Sequence, residues 1–253
     1  LGYSRVARGA PGFASAGAFA TTVVTLLAAF FALRVADEHK DATVDRLTRP
    51  ELPVPRGVVT LGALRLVAAI AALVAIVANA LLAPALLFTL TIAALWLALM
   101  TREFFAREWL RARPATYLAS HMVIMPLILL HATAVDWLAA GARPPRALAV
   151  FLAATYATGL VLEIGRKVRA RPDERPGVET YTSSWGVQHA VTAWLGALAL
   201  SAALVGASAF VLYARGTFLA APLLAFAAAA AALRITRAPG EPGAGRPIET
   251  ASA

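Results

Sequence analysis

Long apolar segments recur along the whole chain, and they constrain its fold more than any other feature of the sequence. A transmembrane helix needs about 20 predominantly apolar residues. Only 15% of the 253 residues are charged and the mean hydropathy is +0.71, whereas soluble domains carry about 25% charged residues. We predict seven membrane spans, at residues 13–35, 58–82, 84–101, 115–134, 146–164, 187–213 and 216–235.

The predicted spans must be helices, because backbone polar groups inside lipid have to be hydrogen-bonded within the protein. We therefore predict an all-α transmembrane bundle that forms one domain over residues 1–236. Only Ala83-Pro84 separates the second span from the third, which predicts a tight helical hairpin. Residues 237–253 are rich in proline and glycine, so we predict a disordered tail.

The distribution of basic residues predicts the orientation of the chain. The net charge of +9 could indicate a nucleic-acid partner, but Lys and Arg are enriched in the cytoplasmic loops of membrane proteins, and we expect no nucleic acid. The charged loops at 37–57, 102–113 and 163–185 are predicted to be cytoplasmic. The N-terminal segment then faces outward, where Arg5 and Arg8 are unexpected; a further span upstream would remove this conflict. The chain has no Cys, which excludes disulfides and thiolate metal sites.

The first polar loop carries four carboxylates that a helix would place on one face. Asp37, Asp41 and Asp45 follow each other at intervals of four residues, and Glu38 lies three residues before Asp41. Like charges at this spacing repel by about 0.2–0.5 kcal/mol per pair, and a cation along the face would reverse that effect. Mg²⁺ commonly binds one or two carboxylates together with water and phosphate oxygens. The spacing thus indicates a magnesium site.

The alternative for this loop is a solvated helix end whose acids are neutralised by Lys40, Arg46 and Arg49. Residues 49–57 contain three prolines and a glycine, which end the helix and stiffen the connection to the next span. A rigid connection beside an acidic face favours a binding site over a loose linker.

The second polar loop combines a carboxylate with several basic residues. Glu163 can pair with Arg166 or Lys167, three and four residues further on. Arg166 and Arg169 share a helical face and could bind a phosphate group. Pro172 ends the helix, and two acidic residues follow it, Asp173 and Glu174. The alternative is an ordinary basic cytoplasmic loop.

Together the two loops resemble the motifs of the UbiA superfamily of intramembrane prenyltransferases. The first family motif is Asn-Asp-x-x-Asp-x-x-x-Asp, followed by Arg-Pro-x-Arg-Pro-[small/apolar]-Pro-x-Gly. In this chain Asp37 stands at the Asn position, and Leu52 replaces the second Arg. The matching residues are Glu38, Asp41, Asp45, Arg49-Pro50, Pro53-Val54-Pro55 and Gly57.

The second family motif, with Asp residues ahead of Gly-Asp-x-x-x-Gly-[apolar]-x-Thr, is matched only in part. Arg166 and Arg169 occupy the two upstream Asp positions, and Pro172 replaces the first Gly. The residues that match are Asp173, Gly177, Val178 and Thr180. The family has nine spans, so the resemblance also implies that this chain lacks the first and the last.

The resemblance implies a Mg²⁺-dependent enzyme that transfers an isoprenoid chain from a prenyl diphosphate to an acceptor within the bilayer. By that resemblance the magnesium ligands are Asp37, Glu38, Asp41, Asp45, Asp173 and Glu174. The catalytic residues among them are Asp41, Asp45 and Asp173. The expected diphosphate-binding residues are Lys40, Arg46, Arg49, Arg166, Lys167 and Arg169. Further site residues are Glu163, Tyr181, Arg102 and His121.

Other interpretations remain open at this stage. A transporter could use the acidic face as a cation site, and a catalytically silent relative could bind lipid without turnover. The aromatic and charged loop at 102–113 indicates an amphipathic helix at the membrane interface, which could act as a lid. Polar residues inside spans, His121, His131 and Asn79, either belong to a site or bond neighbouring helices.

Overall fold

The computed structural model describes residues 1–10, 12–212 and 220–252, and these ranges contain helices but no strand. The predicted all-α class is therefore confirmed. In chain order the α-helices are α1 (Gly2–Ala7), α2 (Ala16–Thr48), α3 (Leu61–Leu82), α4 (Leu86–Thr101), α5 (Arg107–Arg111), α6 (Pro114–Met122), α7 (Ile124–Trp137), α8 (Leu148–Arg166), α9 (Tyr181–Trp185), α10 (Val187–Val211), α11 (Ala220–Arg237) and α12 (Arg246–Ser252).

Among the described residues, five helical segments are long and apolar enough to cross a bilayer, which supports an integral membrane protein. They are α2, α3, the pair α6 and α7 taken together, α8 and α10. Helix α4 is apolar but has 16 residues, or about 24 Å at 1.5 Å per residue. Of the seventh predicted span, residues 216–219 lie outside the described residues, and α11 covers the remainder. Seven spans therefore stay a prediction.

Helix α2 is longer than a bilayer is thick. Its 33 residues extend for about 50 Å, against a hydrocarbon core of about 30 Å. Ser15 caps its first turn by accepting a hydrogen bond from the Ala18 N–H. Its first 18 positions, 16–33, carry no charged residue, and the acidic residues follow from Asp37 without a break in the helix. The acidic end of α2 therefore extends beyond the apolar layer.

The chain packs as two compact units. The first comprises Leu1–Arg107 and Pro126–Leu148, and the second comprises Glu108–Met125 and Ala149–Ala253. The first acidic motif belongs to the first unit, and the second polar loop belongs to the second. The sequence alone predicts one domain. A uniform series of apolar spans does not indicate which helices pack together, so the division into two units cannot be seen in the sequence.

Interhelical hydrogen bonds join the helices of the first unit. The Asn79 side chain of α3 donates to Thr25 Oγ1 of α2 at 2.7 Å, and Asn79 is fully buried. The ring of His131 in α7 is hydrogen-bonded to Thr89 Oγ1 of α4 at 2.9 Å. Such bonds stabilise helix association where the surrounding lipid offers no polar partner. Asn79 and His131 therefore bond neighbouring helices, which is one of the two roles that the sequence left open.

A buried carboxylate holds the N-terminal helix α1 against the end of α7. Asp136, whose side chain is 1% exposed, forms ion pairs with Arg5 at 3.2 Å and Arg8 at 2.9 Å. The Ser4 hydroxyl also donates to this carboxylate at 2.7 Å. The single carboxylate offsets one of the two positive charges, which reduces the charge that conflicts with the predicted orientation.

The second unit has its core where α8, α10 and α11 meet the C-terminal segment. Trp194, Val168, Ile235 and Ile248 are fully buried there. The tail, which its composition predicts to be disordered, is folded: residues 238–245 form turns, and α12 packs Ile248 into this core. The reason is that Ala244 and Ile248 bury apolar surface against the helices, an interaction that proline and glycine content does not reveal.

Candidate functional site

The four carboxylates of the first motif differ in their surroundings, although all four lie on α2. Asp37 is exposed, Glu38 forms an ion pair with Arg34 one turn earlier, and Asp45 is buried. The Asp45 carboxylate forms an ion pair with Arg49 Nη2 at 2.6 Å. Asp41 is half-buried and makes no hydrogen bond or ion pair within the described part of the chain. Asp41 is therefore the carboxylate that can bind a cation without giving up a partner.

The proline-rich connection after the acidic helix is ordered by turns, as the sequence predicts. The Leu52 N–H donates to the Arg49 carbonyl at 3.1 Å, and the Arg56 N–H donates to the Leu52 carbonyl at 3.1 Å. Gly57 has a φ of +74°, a conformation that glycine adopts without the steric cost other residues incur. Segment 49–57 thus forms a fixed turn directly after the acidic face.

The loop at 102–113 contacts the first motif through Lys40, whose ammonium pairs with the buried Glu103 at 2.6 Å. Glu103, Phe104 and Phe105 have φ values of 49°, 52° and 58°. This left-handed conformation costs L-residues roughly 1–2 kcal/mol each. The predicted amphipathic helix is confined to the five residues of α5, because the left-handed turn separates α5 from α4. Arg102 is exposed at the start of the turn.

The first motif offers carboxylate oxygens, the ligand type that Mg²⁺ prefers. Within the described ranges, no group of three or more His, Asp or Glu side chains is placed to hold one metal ion. Asp37 and Asp41 lie one helical turn apart, and Mg²⁺ in phosphate sites usually takes only one or two carboxylates. The pair fits a magnesium ion whose other ligands are water and phosphate oxygens. Arg46 is exposed one residue after Asp45.

In the second unit, Glu163 is bonded to both of its predicted partners. Its carboxylate accepts from Arg166 Nε at 2.5 Å and pairs with Lys167 Nζ at 2.8 Å, and its side chain is 6% exposed. The Lys167 ammonium also lies 5.9 Å from the Tyr117 ring centroid and 5.7 Å from that of Tyr181. The sequence identified the ion pairs, but the aromatic neighbours come from other helices.

Tyr181 lies at the centre of this aromatic group. Its N–H donates to the Lys167 carbonyl at 3.1 Å, and its ring packs on Trp185 with centroids 4.5 Å apart. Burial raises the pKa of the Tyr181 phenol, and the nearby Glu163 carboxylate raises it further, so the phenol stays neutral.

The predicted site residue His121 is buried on α6, where it donates to the Tyr117 carbonyl at 2.9 Å and stacks on the Tyr117 ring.

The acidic residues of the second motif are hydrogen-bonded within the protein. The Glu174 carboxylate accepts from the hydroxyls of Thr180 at 2.7 Å and Thr182 at 2.6 Å. Asp173 Oδ2 accepts from the Gly243 N–H of the tail at 2.7 Å. These two carboxylates therefore stabilise the loop and its contact with the tail in this structure.

Arg169 has a partner that the sequence analysis missed. Its guanidinium holds both oxygens of Glu249, at 2.5 Å and 3.3 Å, and its own N–H donates to Thr182 Oγ1 at 3.1 Å. Glu249 lies 80 residues further along the chain, in a segment predicted to be disordered. The only signal in the sequence was the isolated apolar residue Ile248 beside an acid in a polar tail.

An open cleft of about 560 Å³ lies beside the second motif. Arg111 and Glu179 form an exposed ion pair across it at 3.0 Å. The cleft is lined by Arg111, Glu174, Arg175, Pro176, Gly177, Val178, Glu179 and Ser183. Two basic and two acidic side chains line it, so their formal charges balance.

No family model, no curated protein and no solved structure matches this chain. The resemblance to the prenyltransferases therefore depends on the residues of the two motifs alone. The described residues form a helical structure with five segments long and apolar enough to span a membrane. Its polar motifs adjoin the ends of these helices, with α2 leading into the first and α8 into the second.

Proposed function

We propose that this protein is a Mg²⁺-dependent membrane prenyltransferase of the UbiA type, which transfers an isoprenoid chain from a prenyl diphosphate to an acceptor. The observation that carries the proposal is the acidic end of α2. This helix extends past its apolar part with four carboxylates, and Asp41 is available to a cation. An amphiphilic diphosphate needs this combination, because its chain partitions into lipid while its charged head remains at the surface.

In the proposed reaction the bond between C1 of the isoprenoid and the diphosphate oxygen breaks, and its electron pair leaves with the diphosphate. The acceptor atom forms a bond to C1 and loses a proton. A bound Mg²⁺, held by Asp37 and Asp41, would supply positive charge that stabilises the departing diphosphate. The basic residues of the second motif have the donors to bind phosphate oxygens, since guanidinium groups bind phosphate through paired donors.

Two acidic positions of the second motif are occupied by arginine in this chain, and this determines where the proposal assigns the metal. Arginine cannot coordinate Mg²⁺ and stays charged at all relevant pH values. We therefore assign metal binding to the first motif only, and phosphate binding to Arg166 and Arg169 of the second. Glu163 orients Arg166, because its carboxylate accepts directly from Arg166 Nε.

The test uses purified protein in nanodiscs with a radiolabelled prenyl diphosphate, Mg²⁺ and a membrane lipid extract as the source of acceptor. We expect release of inorganic diphosphate by the unaltered protein and loss of release in Asp41→Asn. Glu108→Gln is the matched control, because it removes a carboxylate from an exposed position outside both motifs. Equal release by Asp41→Asn and the unaltered protein would refute the proposal.

A catalytically silent, lipid-binding protein is the second candidate. The observation that favours it is the internal bonding of Asp173 and Glu174, which are held by Gly243 and by two threonines. It predicts tight binding of the prenyl diphosphate without release of diphosphate. The transporter alternative predicts Mg²⁺ flux into sealed vesicles, which is measured after reconstituting the purified protein into liposomes.

A further inference from the structure

The C-terminal tail forms a continuous series of contacts with the second polar loop. The Arg171 N–H donates to the Pro239 carbonyl at 3.1 Å, and the Gly243 N–H donates to Asp173 at 2.7 Å. At the end of the segment, the Trp194 indole donates to Ser252 Oγ at 2.8 Å. The tail is thus held at its beginning, middle and end, entirely within the second unit.

The packing of the tail depends on glycine at its closest approach. A Cβ at Gly245 would lie 2.6 Å from the Val168 carbonyl oxygen and 3.3 Å from the Arg169 Cα. Ala244 and Ile248 on either side are fully buried. The tail therefore packs in one specific position, which we call its seat, against Val168 and Arg169, the residues that lead into the second motif.

Glu249 presents its carboxylate to Arg169 in the same way as a phosphate group would. Both guanidinium nitrogens bond to it, at 2.5 Å and 3.3 Å. Paired donors of arginine recognise carboxylate and phosphate through the same planar geometry. The Arg169 side chain is 34% exposed and that of Glu249 is 42% exposed, so water can reach this pair and an anion from solution can compete for it.

We propose that the tail is an autoinhibitory segment in which Glu249 occupies Arg169 in place of the diphosphate group of the substrate. The inference rests on the proposed function, since it takes Arg169 as part of the diphosphate site. Binding of diphosphate and seating of the tail are then mutually exclusive. By linkage, each weakens the other to the same extent. Only molecules with a released tail can bind diphosphate, so the apparent affinity falls as the fraction of molecules with a seated tail rises.

The experiment reports on the tail and on the ligand separately. The chain has no natural Cys, so Thr250→Cys gives a single attachment point for a nitroxide label at an exposed position of α12. Electron paramagnetic resonance then measures tail mobility while inorganic diphosphate is titrated in the presence of Mg²⁺. We expect diphosphate to mobilise the label in the otherwise unaltered chain.

Two pairs of variants separate tail release from general perturbation. Gly245→Ala blocks the seat, whereas Gly240→Ala is its control, because a Cβ there meets no atom within 4 Å. Glu249→Gln removes the competing charge, whereas Glu241→Gln removes a tail carboxylate that lies 4.0 Å from Arg234. We expect Gly245→Ala and Glu249→Gln to bind diphosphate about three- to tenfold more tightly, as suits a partly exposed ion pair, and both controls to behave like the parent.

Two results would overturn the inference, and they differ for the proposed function. If the released variants show a mobile label but unchanged diphosphate affinity, the tail does not compete, and a site that still requires Arg169 leaves the proposed function intact. If the released variants bind no diphosphate at all, both the inference and the proposed diphosphate site are wrong.

Discussion

Two acidic residues one turn apart on α2 should respond differently to the same substitution. Asp41 is half-buried without a partner in the described part of the chain, whereas Asp45 is 5% exposed and lies 2.6 Å from Arg49 Nη2. The sequence gives both residues the same role and predicts the same outcome for Asp41→Asn and Asp45→Asn. The structure separates a residue available for binding from one that also stabilises the helix end.

The magnitudes follow from the surroundings of the two carboxylates. The Arg49 side chain is 36% exposed, so the Asp45 ion pair contributes the value of a partly solvated pair, about 1 kcal/mol. Loss of like-charge repulsion returns about 0.2–0.5 kcal/mol in either variant. We therefore expect Asp45→Asn to lower the free energy of unfolding by roughly 0.5–1 kcal/mol, and Asp41→Asn to leave it unchanged or slightly higher.

For ligand binding the order of the two variants should reverse, with Asp41→Asn causing the larger loss. Removal of the Asp41 carboxylate should weaken Mg²⁺-dependent binding of a prenyl diphosphate by at least about tenfold, because interactions with a charged group contribute about 1.5–3 kcal/mol. Unfolding in detergent, followed by tryptophan fluorescence, measures stability, and a filter assay with labelled ligand measures affinity. Equal destabilisation by both variants would refute the reasoning from burial, and unchanged Mg²⁺ dependence in Asp41→Asn would return the loop to a solvated helix end.

Four further predictions test the remaining parts of the structure. Asp136→Asn should lower the free energy of unfolding by roughly 2–3 kcal/mol, because Arg8 loses its buried partner; a change below about 0.5 kcal/mol in detergent unfolding would contradict this. Asn79→Ala should cost about 0.6–1.7 kcal/mol, the range of interhelical hydrogen bonds in membranes, measured in the same way. A single Cys at Thr43 should resist an impermeant reagent added outside sealed cells and react after permeabilisation; external labelling would reverse the predicted orientation. Arg166→Ala should weaken diphosphate binding by roughly 10- to 150-fold, and Arg166→Lys should restore it only in part because the planar donor pair is lost; equal affinities in all three proteins would show that Arg166 does not bind the diphosphate.

The sequence predicted the helical class because hydrophobic segments of span length leave the backbone no other stable conformation in lipid. Two predicted features agree with the structure: the first helix of the hairpin ends at Leu82, and α2 continues through Asp45. The left-handed turn at Glu103 was not predictable, because no glycine marks it and its pairing with Lys40 joins residues that are far apart in sequence. Local patterns report local conformation, and that pairing is a tertiary contact.

Apolar length and charge spacing by themselves determined the helical class, the acidic face on α2 and the ion pairs of Glu163, since each depends on residues within a few positions of one another. Tertiary structure alone decided which charged groups are available. It assigned Glu103 to Lys40, Glu249 to Arg169 and the tail to the second motif. The physical reason is that a charged side chain takes the partner that packing brings within a few ångströms, and packing depends on contacts that sequence spacing does not encode.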